Sequence, residues 1–194
     1  MNHNIFESPV GMKNLGAGIL VLAFVFAGCL ISERDEYVLK INPDGKTGTL
    51  TSVNYNVQSD AANPSDQNKD FKELIRKWKS DDYLLDQLKE GRYVKERSVR
   101  LQNGKITWRE VSLVSDLGKI FPHYSENDTN RFVVNPHDNI VTETNGTIRN
   151  LKDSLVIIWS PHTKMFTLKT KVKDYTPASK LEARLKKYLN PDGG

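Results

Sequence analysis

The chain has 194 residues, 38% of them hydrophobic and 27% charged, with a net charge of +4. That length suits one hydrophobic core of ordinary size, and the chain is too apolar to be disordered in bulk. Its single cysteine excludes an intrachain disulfide and any CxxC metal site, and the mild positive charge falls short of a nucleic-acid footprint.

The first element is LGAGILVLAFVFAG, residues 15–28, which carries no charge and follows Lys13. As a helix it spans about 21 Å against roughly 30 Å of bilayer hydrocarbon, so it reads as the apolar region of a signal peptide rather than a permanent span. Ala27 and Gly28 are the small residues that a peptidase cleft needs, and Cys29 comes next. Phe26-Ala27-Gly28-Cys29 resembles the lipobox of bacterial lipoproteins, with Phe26 where that family prefers leucine. The resemblance covers residues 12–29. It implies cleavage between Gly28 and Cys29, diacylglycerol on the Cys29 thiol and acylation of the new amino group. Each buried methylene adds about 0.8 kcal/mol, so two or three chains anchor stably where one does not. Leu30, where inner-membrane lipoproteins commonly carry aspartate, implies the outer membrane facing the periplasm. Met12 is the preferred initiator. The expected division is a signal peptide over 1–28, a lipidated tether over 29–35 and one domain over 36–194.

Tyr37, Leu39 and Ile41 alternate with polar residues, NPDGKTG supplies a turn, and 49–57 reads as the returning strand of a hairpin. Residues 59–69 lack periodicity and read as a loop. Phe71, Leu74, Ile75 and Trp78 form a helical stripe. A second helix follows, with Ser80 as its cap, Asp81 and Asp82 in the first turn, Leu84, Leu85 and Leu88 as its apolar face, and Gly91 as its stop. Strands over 92–102 and 105–115 meet at Asn103-Gly104, a type I′ turn signal. Ile106 and Trp108 share one parity and Val111 and Leu113 the other, which predicts a bulge near Arg109 and Glu110. Short strands are expected around 132–134 and 140–142, and a turn at Asn145-Gly146. LVIIW, 155–159, is apolar on both parities and predicts a central strand covered on both sides. Phe166, Leu168 and Val172 alternate in the next strand, and 177–189 reads as a helix with Ala178, Leu181, Leu185 and Tyr188 inward. Hairpins, two consecutive helices, further strands and a C-terminal amphipathic helix define the α+β class, an antiparallel sheet with helices on one face.

Local chemistry is sparse. His123, His137 and His162 each follow a proline, but gaps of 14 and 25 residues match no metal-ligand motif, so no metal is assigned. There is no G-x-S-x-G, S-x-x-K, Walker loop or G-x-G-x-x-G, and therefore no catalytic residue and no cofactor is assigned. SENDTN, 125–130, lacks calcium-loop spacing, and the sequons at Asn127 and Asn145 read as loop composition. Lys180, Arg184 and Lys187, with Lys186 adjacent, form a basic row opposite the apolar stripe of the last helix, and Lys169, Lys171 and Lys173 alternate along what reads as a strand edge. The row is read as an anionic-surface contact near the membrane.

The function these readings favour is a membrane-anchored envelope lipoprotein acting as a non-catalytic binding or assembly module. Its expected partners are the bilayer, through acylated Cys29, and an envelope protein or anionic polysaccharide, with no nucleic acid. The alternative is an envelope enzyme with a dispersed active site. The two differ in whether a deep pocket gathers polar groups of shifted pKa.

Overall fold

The computed structural model describes residues 30–117, 130–134, 138–151 and 154–191. The chain is α+β, with antiparallel sheets and three helices among the described residues. β1 (Leu30–Ile31) pairs with β4 (Gln58–Ser59). β2 (Arg34–Ile41) and β3 (Gly48–Tyr55) form the first hairpin, in which Asp44 Oδ1 accepts the amide hydrogens of Lys46 and Thr47 and fixes the turn. Residues 30–35, expected as a tether, thus carry β1 and the start of β2, and Leu30 is buried.

α1 (Pro64–Lys79) begins inside the expected loop. Asn63 is its N-cap, accepting the Asp66 amide at 2.8 Å, and Pro64 supplies a pre-set φ, so the first turn needs no apolar stripe. Ser80 ends α1 and caps α2 (Asp81–Lys89), as its sequence position requires. The inward face of α2 is Tyr83 and Gln87, whereas Leu85 and Leu88 are each 56% exposed, which corrects the leucine face expected. β5 (Arg92–Gln102) and β6 (Lys105–Val114) turn at Asn103 (φ 52°) and Gly104 (φ 75°), the type I′ geometry.

β6 has no bulge. Ile106, Trp108, Glu110, Ser112 and Val114 all point inward in regular alternation, and the register shift lies in β5, between Val94 and Glu96. The apolar Val111 and Leu113 therefore face outward and two polar residues face the core.

β7 (Asn130–Val134) and β8 (Asn139–Thr144) enter different sheets. β9 (Thr147–Leu151), β10 (Ser154–Trp159) and β7 form a three-stranded sheet with β10 central, as LVIIW predicts. β8 flanks β11 (Met165–Val172) in a six-stranded sheet of order β5-β6-β3-β2-β11-β8. Asn145-Gly146 is thus a corner between sheets. The Asn145 Oδ1 accepts from Trp159 Nε1 and the Thr167 amide, and its Nδ2 donates to the Met165 carbonyl. α3 (Glu182–Leu189) is shorter than expected. The Ser179 amide donates to the Ser59 carbonyl and the Leu181 amide to Gln58 Oε1, which holds this segment extended alongside β4. Leu181 and Leu185 are fully buried, while Ala178 and Tyr188 are exposed.

The six-stranded sheet has one buried face with two covers. Leu39, Leu50, Phe166 and Leu168 pack under the three-stranded sheet against Ile157 and Trp159. Ile106, Trp108 and Val99 pack under the helices against Leu74, Tyr83, Leu181 and Leu185.

Candidate functional site

Two groups of polar side chains stand out, one inside the fold and one on its surface. The inner group crosses the buried sheet face between the two apolar cores. Glu110 is 1% exposed, and its Oε2 accepts from the Tyr83 hydroxyl at 2.6 Å and its Oε1 from Ser112 Oγ at 2.8 Å. Burial beside this carboxylate raises the Tyr83 phenol. Lys77, also buried, lies 4.0 Å from Glu73, yet burial outweighs that attraction and pushes its ammonium down to about 8. Farther across the sheet, Asp35 accepts from Ser32 Oγ and from Asn54 Nδ2 at 2.6 Å, and burial raises its carboxyl despite both donors. These are locked structural groups. Neither of the two surface depressions described next includes any of them.

The surface group lies at one end of the sheet's outer face. The register aligns Lys171, Arg34, Tyr55 and Thr107 in one row across β11, β2, β3 and β6. Beyond that row β3 stops, and Asn56, in the left-handed region at φ 55°, turns the chain toward β4. β5 and β6 continue to their Asn103-Gly104 tip and wall the step. The result is an open depression of about 480 Å³. A second depression, of about 400 Å³, shares Asn56 and Lys105 with it and is lined also by Pro177, Lys180 and Glu182; the two adjoin, and together they are termed the trough. The Arg34 guanidinium lies 4.1 Å from the Tyr55 ring centroid, a cation–π contact that holds it in place, and 3.7 Å from Glu36. Glu33 accepts from Asn56 Nδ2 at 2.9 Å and from Lys105 Nζ at 3.1 Å, which together hold its carboxyl below the usual range. With Glu33 paired to Lys105, the cations Arg34, Lys171 and Lys180 outnumber the other carboxylate lining the trough, Glu182, which accepts from Gln58 Nε2. Lys171 and Lys180 have no salt-bridge partner among the described residues. Charge-assisted hydrogen bonds from such cations suit an anion.

Of the residues singled out in the sequence, Gly28, Cys29, His123 and His137 lie outside the described residues. Lys180 lines the trough and precedes α3, Arg184 donates to Asn68 Oδ1 on α1 at 3.3 Å, and Lys187 is exposed on α3. Lys169 pairs with Glu143, and β11 is internal to its sheet, so its lysines guard no edge. His162 sits in an exposed turn. Asp81 and Asp82 occupy the first turn of α2. Among the described residues no group of three His, Cys, Asp or Glu side chains is placed to hold a metal. Periodicity did not reveal the trough, because Arg34, Tyr55, Lys105 and Lys171 come from four segments. The Asn103-Gly104 turn was its one local signal, since it projects Gln102 and Lys105 from a hairpin tip.

Comparison with known protein families, curated proteins and solved structures finds no match to this chain. No described helix is long and apolar enough to cross a membrane.

Proposed function

We propose that this chain is a lipid-anchored envelope protein, joined to the bilayer through Cys29 and facing the periplasm from the outer membrane. Its role is non-catalytic: it binds a ligand at the trough. The observation that carries the binding reading is the gathering of Arg34, Lys105, Lys171 and Lys180 along two adjoining depressions, away from the buried Asp35 and Lys77. An enzyme would bring strongly shifted groups and an open concavity together; here Lys77 and Tyr83 lie outside the trough, whose own shifted groups are Glu33, held down by its bonds from Asn56 and Lys105, and Tyr55, raised by partial burial beside Glu36. The anchoring reading rests on VFAGC, residues 25–29. Because Leu30 is already paired with Ser59, acylation at Cys29 would leave no slack between domain and lipid.

Two measurements test this. In bacterial cells fed an alkynyl fatty acid, the wild-type protein incorporates label and Cys29→Ser does not; an intact leader with an unmodified thiol contradicts the anchor. For the binding role, Arg34→Gln/Lys171→Gln abolishes ligand retention by the purified protein while leaving its melting temperature unchanged. Retention unaffected by that pair contradicts the trough as the working surface.

A further inference from the structure

We propose that the ligand of the trough is an acidic polysaccharide, an extended chain of sugar units bearing carboxylates. This inference rests on the reading of the trough as the working surface, and is independent of the anchor. Three observations favour this class over other anions. First, the two depressions are open rather than enclosed and adjoin at Asn56 and Lys105, whereas sites for compact metabolites enclose most of the ligand surface. A linear polymer can follow such a path and a planar bilayer cannot enter it.

Second, exposed amides are interleaved with the cations. Gln102 and Asn103 line the wall at the hairpin tip, offering both donors and acceptors to sugar hydroxyls. Arg34, held over Tyr55, presents a planar fork matched to a carboxylate. Third, that same contact covers a face of Tyr55, the one aromatic ring among the described residues lining either depression. Single-stranded nucleic acid gains much of its affinity by stacking bases on open aromatic faces, so the trough suits a sugar chain better than a nucleotide chain.

The test is calorimetric titration of the full-length protein in detergent with an oligogalacturonate, its methyl ester and an oligothymidylate of equal charge. The oligogalacturonate should bind and weaken as salt rises. The uncharged ester should bind at least about tenfold more weakly, as should oligogalacturonate to Arg34→Gln/Lys171→Gln. Arg109→Gln/Lys40→Gln removes the same charge from the outer face away from the trough and should change affinity less than about twofold. Absence of oligogalacturonate binding, equal binding of oligothymidylate, or equal loss in the control pair would each overturn the proposal. If oligogalacturonate fails while ligand retention still depends on Arg34 and Lys171, the sugar class is wrong and the trough remains the working surface; if that dependence fails too, the broader reading falls with it.

Discussion

The two faces of the six-stranded sheet use charge in opposite ways. On the inner side Glu110, Asp35 and, on α1, Lys77 are held in low-dielectric surroundings, and both carboxylates are engaged by hydroxyl or amide donors. On the outer face Arg34, Lys105 and Lys171 are exposed at the rim of a concavity, and only part of their charge is answered within the protein. Residue type alone therefore does not say whether a charge serves stability or recognition. What decides is whether the fold surrounds it with fixed partners or leaves it facing solvent.

The sharpest way to break this contrast is to remove the inner carboxylate. Glu110→Ala leaves the Tyr83 and Ser112 hydroxyls without their acceptor and should cost about 3–5 kcal/mol in urea unfolding. A loss below about 1 kcal/mol would mean the network contributes little. Lys77 gives a pH signature of similar size. Its folded pKa of about 8 lies below the ordinary 10.5, so between those values the unfolded chain holds a proton that the folded chain has released. Stability should rise with pH across that window, by about 3 kcal/mol in all, and Lys77→Met should abolish the rise. A flat alkaline profile for the wild type would contradict its burial.

A smaller effect is expected at the corner between the sheets. An added Cβ at Gly146 would meet Ile157 Cγ2 at 2.6 Å and Trp159 at 2.9 Å, so Gly146→Ala should destabilise by about 1–3 kcal/mol, read as a lowered melting temperature. The smallest effect sharpens the comparison from the other side: Arg34→Gln/Lys171→Gln should change stability by no more than about 0.5 kcal/mol, because both side chains are exposed. A larger loss would assign those cations to the fold.

Elements governed by local backbone chemistry were legible in the sequence. Asn103-Gly104, Ser80 and the β2–β3 turn each act through their own neighbours and form as their residue types require. Elements decided by distant partners were not. Glu110 and Ser112 look like surface residues until Tyr83 is brought over them, and Leu85 and Leu88 look like core until Tyr83 and Gln87 take that side of α2. Segment 177–181 carries helical spacing, yet Gln58 and Ser59 claim its amides. The trough belongs to this second kind, since a strand register aligns its row and a protruding hairpin tip walls it.

The most direct test of the division between faces is photo-crosslinking in cells, with the reactive residue placed at Asn103 in the trough wall or at Leu113 at the far end of the outer face. The account predicts a ligand adduct from position 103 and none from position 113. Equal yields, or an adduct from 113 alone, would contradict it.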